Sequence, residues 1–195
     1  MNLADAEATS TIGASGVETM FQKLFVRIIA ALVCFFVVSA SAGWDPDEAA
    51  GARQAIKEFK EADPSIKRFF NSAHAYAVFP TVGKGGLGIG GAYGSGLIFR
   101  GGKFVGETSL TQLTIGFQLG GQAYREVIFF RDKATFDDFR NGNFELSAQA
   151  SAVAATLGAS ADADFENGVA VFTLAKGGLM YEASVGGQKF SYDSY

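Results

Sequence analysis

Thiols, imidazoles and prolines are nearly missing from this chain, whose 195 residues hold one cysteine, one histidine and 3 prolines. Cys34 on its own can close no intrachain disulfide and build no cysteine metal site. His74 on its own excludes a multi-histidine metal centre, and neither a nucleophile motif nor metal-ligand spacing accompanies it, so it reads as structural. The chain is therefore expected to be no enzyme and to carry no cofactor and no metal. Cationic excess is also lacking: 16 Lys and Arg face 20 Asp and Glu, for a net charge of −4, which makes a poor nucleic-acid binder. What the chain has in quantity is glycine and phenylalanine, 25 and 19 residues, a mix that favours short strands and tight turns over disorder or a helical bundle.

The segment from Lys23 to Ala42 has the three-part grammar of a secretory signal. Lys23 and Arg27 are the cationic start, Ile28 to Val38 the apolar run, and Ala40 and Ala42 the small residues before cleavage between Ala42 and Gly43. The run is shorter than the ~20 residues that cross a bilayer as a helix, so cleavage is expected, with a retained anchor as the alternative. Asp5, Glu7 and Glu18 precede it without a single base, which suits Met20 better than Met1 as the true start. Cys34 sits inside the run, and Ala31-Leu32-Val33 ahead of it is a poor match to a lipid-attachment box. The expectation is a leader over residues 1–42 and an exported protein, periplasmic or secreted, that associates peripherally with membrane.

Residues 43–195 then read as one domain, with N-terminal helices over 43–74 and a β-rich body over 75–195. Asp45-Pro46-Asp47-Glu48 is a helix start, and Ala52, Ile56 and Phe59 form an apolar stripe beside the basic stripe Arg53, Lys57 and Lys60, up to a break at Asp63-Pro64. A second short helix follows over Ser65 to Ala73. From Ala75 the period becomes two, and Pro80 is expected to end the first strand. The turn Arg100-Gly101-Gly102-Lys103 implies a hairpin. Further strands are expected over 111–119, 125–130, 144–157, 169–174, 179–184 and 188–192, with a helix over 132–140 closed by Asn141-Gly142.

One internal echo stands out. Ala77-Val78-Phe79 is followed by Lys84-Gly85-Gly86-Leu87, and Ala170-Val171-Phe172 by Lys176-Gly177-Gly178-Leu179, with a one-residue difference in spacing. Two copies are too few for a solenoid and suggest two related hairpins, each with a lysine at a glycine turn. The fold class expected is α+β: N-terminal helices packed on a mainly antiparallel sheet that is strongly curved or barrel-like.

These residues resemble the SYLF family of lipid-binding domains. The resemblance runs from the helix ending near Asp63-Pro64 through Ala73 to Pro80 and the Lys84-Gly85-Gly86 stretch. It continues through Gly116-Phe117-Gln118 and Gly120 to Gln122, the Phe136 to Phe139 helix, the alanine-rich 148–155 stretch and Lys176-Gly177-Gly178. The resemblance implies a non-catalytic module that binds phospholipid membranes. Yeast relatives also bind actin, a partner that an exported protein would not meet.

The lipid-contact residues expected are Lys84 and Lys176, with the basic set Arg53, Lys57, Lys60, Lys67 and Arg68 as a face for an anionic surface. The plainer readings are edge lysines that block aggregation and the solvated face of a packed helix. Gly86-Leu87-Gly88-Ile89-Gly90-Gly91 fits a dinucleotide fingerprint in letters, yet no helix follows to receive a pyrophosphate. Asp162, Asp164 and Glu166 lack an EF-hand pattern and read as a solvated loop. The rival function is a structural or protein-interaction module of the cell envelope. A small outer-membrane barrel is disfavoured, because Ser191, Asp193 and Tyr195 share a face that lipid would require to be apolar.

Overall fold

The computed structural model describes residues 46–116, 121–142, 144–146, 152–176 and 185–194. The leader, its cleavage site at Ala42 and Gly43, and the strand expected over 179–184 lie outside the described residues. Helix α1 spans Pro46–Ala62, opening on proline in its first turn with Asp47 and Glu48 beside it and closing with Lys60 in its last. A 3₁₀ turn over Pro64–Ile66 leads into α2, Lys67–Ser72. The remaining helix, α3, is Lys133–Arg140, capped by the Asp132 carboxylate on the Thr135 N–H.

Six strands form one sheet among the described residues: β1 Ala75–Arg100, β2 Lys103–Gly116, β3 Gly121–Phe130, β4 Val153–Ala154, β5 Val169–Ala175 and β6 Lys189–Ser194. Their order is β4-β5-β3-β1-β2-β6, and every pairing is antiparallel except β4 with β5. The sheet is open, with β4 and β6 at its edges, so the barrel form of the expected fold is corrected.

Several local expectations also change. Pro80 does not end the first strand. It lies where the β1–β3 register shifts between Phe79 and Val82, an irregularity at which a missing backbone N–H is tolerated. Lys84-Gly85-Gly86 is no turn either, since β1 runs through it in register with Gly121 and Gln122. The strand expected over 144–157 shrinks to Val153–Ala154 and an isolated bridge at Glu145, with 147–151 outside the described residues. The Gly101-Gly102 turn is as expected, both residues having positive φ, +57° and +75°.

The first strands of the two echoing segments flank β3, and the Gly177-Gly178-Leu179 part of the second lies outside the described residues. Ala77, Val78 and Phe79 pair with Ile128, Val127 and Glu126, whereas Ala170, Val171 and Phe172 pair with Phe129, Ile128 and Val127. The one-residue offset reverses the face. Phe79 enters the core shared with Ile128, Phe130 and the α3 side chains Phe136 and Phe139, while Phe172 enters the core shared with α1 and α2 through Phe59 and Phe69. The sheet is thus apolar on both sides, as strands alternating between two buried faces require.

The first half of β1 pairs with β3 and the second half with β2, and the two halves touch each other. A Cβ placed on Gly96 would stand 2.7 Å from both Phe79 Cδ1 and the Val78 carbonyl oxygen. Gly96→Ala is therefore expected to lower stability by about 2 kcal/mol, because a backbone carbonyl cannot move aside as a side chain can. Gly83→Ala, whose Cβ would meet nothing within 4 Å, should change little. Urea denaturation of the two variants would check this, and equal midpoints would show that the crossing is looser than described.

Candidate functional site

The echoing lysines end up on either side of one strand end. Lys84 lies opposite Gln122, and the Lys176 N–H donates to the Ala123 carbonyl 3.0 Å away. Two strand spacings, roughly 10 Å, separate the two backbones. Lys176 Nζ also donates to Thr81 Oγ1 at 2.7 Å. Thr81 in turn abuts the second half of β1, its carbonyl oxygen 2.8 Å from where a Gly94 Cβ would be.

Beside Gly94 begins an apolar surface that sequence reasoning did not single out. Tyr93 is 60% exposed and Leu113, on the neighbouring strand, 74%. Leu113 pairs with Gly91 and Tyr93 with Thr111, so the two large side chains share one face of the β1–β2 ladder. The glycine opposite Leu113 offers no side chain to cover it. A scattered exposed leucine is ordinary, but two large apolar groups side by side on one face form a patch. The available signal was the alternation of Leu113 with polar Gln112 and Thr114, opposite a glycine-rich strand.

The other basic residues are deployed differently. Arg53 and Lys57 are exposed on α1, and Lys57 Nζ lies 3.7 Å from Glu61. Lys60 sits over the Phe70 ring, 4.5 Å from its centroid. Lys67 is exposed at the start of α2. Arg68 is used internally: its guanidinium donates to the Ser160 and Ala163 carbonyls and stacks on Phe69, holding the 158–163 loop against α2. His74 is half-buried between α2 and β1, its backbone N–H donating to the Phe130 carbonyl and its ring 6.0 Å from that of Phe136.

Two buried acids escaped the sequence reading. Asp63, taken there only as a helix breaker, accepts from the N–H groups of Ser65, Gly158 and Ser160 and from the Ser65 hydroxyl. Burial pushes its carboxyl up, but the hydrogen bonds from Ser65 and Ser160 outweigh this and hold it down at about 2.

Glu126 lies in mid-strand on β3, fully buried between Phe79 and Thr173 of the flanking strands. Its Oε2 accepts from Gln188 Nε2 at 3.0 Å, and the same amide reaches the Tyr124 hydroxyl at 3.5 Å. Among the described residues, Glu126 Oε1, Gln188 Oε1 and Thr173 Oγ1 are buried without a hydrogen-bond partner. Burial pushes the Glu126 carboxyl up to about 8, against the lowering effect of Gln188, and burial together with the neighbouring Glu126 charge raises the Tyr124 hydroxyl. The signal for Glu126 was present, because Tyr124, Ile128 and Phe130 share its face while Val127 and Phe129 make the other face apolar too.

A protein-family model described as Ysc84, Las17-binding protein actin regulator, matches residues 111–195. The curated protein beta cell expansion factor A of Aeromonas veronii is 32% identical over 140 residues, which make up 71% of this chain. Those residues cover 52% of that relative, so the chain spans about half its length.

Proposed function

Because this chain belongs to the Ysc84 (SYLF) family through residues 111–195, a family of binding domains associated with lipid, we propose that it binds anionic phospholipid at a membrane surface without performing chemistry. The observation that carries the proposal is the bare pair Tyr93 and Leu113 on one face of the β1–β2 ladder. An ammonium near an anionic leaflet contributes about 1 kcal/mol, and burying a leucine side chain about 2 kcal/mol. Neither suffices alone, so Lys84, Lys176 and the exposed α1 bases Arg53 and Lys57 act together with the apolar pair. The proposal includes export to the cell envelope or beyond, on the strength of the Lys23 to Ala42 signal grammar, and so does not extend to actin.

Co-sedimentation of the purified protein with neutral and anionic vesicles tests this. Wild-type protein should pellet with anionic vesicles, less so at high salt. Tyr93→Ser/Leu113→Ser and Lys84→Ala/Lys176→Ala should each weaken binding about tenfold. Failure to pellet with either vesicle would sink the lipid reading and make the patch a docking surface for an envelope protein.

A further inference from the structure

At the other end of the β1–β2 hairpin the charge reverses relative to the acidic chain as a whole. Arg100 and Lys103 are cross-strand partners at the Gly101-Gly102 turn, two exposed cations directly opposite one another. Like charges in that position destabilise a strand pair. Among the described residues neither has an acid partner. Arg100 lines a groove of about 290 Å³ together with Arg140, Phe136, Tyr192 and Ser194, and Lys103 lies at the turn next to it.

The Arg140 guanidinium faces two aromatic rings that line this groove. It lies 5.2 Å from the Tyr192 centroid and 5.7 Å from that of Phe136. Its Nη1 is 3.7 Å from Asp137 Oδ1, but that carboxylate also accepts from Lys133 Nζ. One acid shared between two cations leaves the neighbourhood positive once Arg100 and Lys103 are counted. No acid lines the groove among the described residues.

We infer that this groove is a binding site for a phosphate-bearing anion, with the Arg140 and Arg100 guanidiniums as forked donors. A guanidinium's planar fork donates two parallel N–H bonds to phosphate oxygens. A phosphate suits the site better than a carboxylate because two guanidiniums line it, Lys103 adds charge at the adjoining turn, and a phosphate carries more charge and more acceptor oxygens. The Ser194 hydroxyl at the rim adds a neutral donor.

The site is separate from the lipid-contact surface proposed above. Tyr93 and Arg100 stand seven positions apart on β1, roughly 23 Å of strand. A leaflet reached by Tyr93 and Leu113 would leave the groove facing elsewhere, so its phosphate is either a soluble one or a lipid headgroup on a second surface.

Titration calorimetry of the full chain with inorganic tripolyphosphate is the direct test, alongside sedimentation with phosphatidylglycerol-containing vesicles. Wild-type protein should bind tripolyphosphate, Arg100→Gln/Arg140→Gln at least tenfold more weakly, and Arg140→Lys in between, because it keeps the charge but loses the fork. Arg131→Gln/Lys189→Gln removes as much charge elsewhere and should bind like wild type. Unchanged vesicle binding by the groove variant would assign the site to soluble phosphates, and a parallel loss would assign it to headgroups. No binding of tripolyphosphate by wild type, or equal weakening in the Arg131/Lys189 control, would overturn the site. The calorimetric result stands whether or not the protein binds vesicles through Tyr93 and Leu113.

Discussion

Replacing Asp63 with alanine is expected to lower stability by about 3 kcal/mol, combining a lost cap with lost bonds to a charged acceptor. The carboxylate caps the 3₁₀ turn through the Ser65 N–H at 3.1 Å, and it also binds a loop nearly a hundred residues away, through the Ser160 N–H at 2.6 Å and the Gly158 N–H at 3.2 Å. The Ser65 and Ser160 hydroxyls, 2.7 Å apart, extend the network. Alanine would strand these donors in a site where Asp63 is wholly buried. For a domain of this size such a loss corresponds to a fall in Tm of about 8 °C.

Acid should expose the same dependence. The folded carboxyl lies at about 2, below its ordinary 3.8, so its contribution is complete above pH 4 and disappears as pH falls through 2. Asp63→Asn retains one acceptor oxygen, so it should be less destabilised than alanine and should lose this acid dependence. Thermal unfolding at pH 6 and pH 2.5 would read both effects. A wild-type-like Tm for Asp63→Ala at pH 6 would mean that the loop is held by Arg68 alone.

How much of this was legible in the sequence follows from the range of the forces involved. The helices were, because Pro46, Asp47 and Glu48, or Asp132 before Thr135, act within one turn of themselves. The hairpin at Gly101-Gly102 was, for the same reason. The course of β1 was not, since Pro80 and Gly85-Gly86 are punctuation by local rules and are overridden by pairing with β3. The echo was visible, but its meaning depended on register. The irregularity between Phe79 and Val82 takes up the extra residue of the first copy, and so Lys84 and Lys176 reach the same end of β3. Among the basic residues, composition could not distinguish Arg68, bound to carbonyls from residues 160 and 163, from the exposed Arg53, because the difference is made by a loop distant in sequence.

Glu126 should make the stability of the protein fall as pH rises from about 4.5 to 8. Its folded pKa is raised, so between those values the folded state holds a proton that the unfolded state has released, and each further pH unit favours unfolding. Stability from this group is therefore complete below pH 4.5 and lost as pH climbs through 8. Integrated over the window the effect reaches about 5 kcal/mol, an upper figure for a group at the centre of the sheet. Protonation also suits the geometry, because a neutral carboxyl can donate, and Gln188 Oε1 and Thr173 Oγ1 are buried without partners among the described residues. Glu126→Gln keeps the shape and an acceptor for Gln188 while removing the titration. Urea denaturation at pH 5 and pH 8.5 should show a marked loss for wild type and a nearly flat profile for the glutamine variant, all other titrating groups being common to both. Parallel profiles would mean that Glu126 stays charged in the folded protein, and the cross-link from β3 to β6 through Gln188 would then be an ionic hydrogen bond.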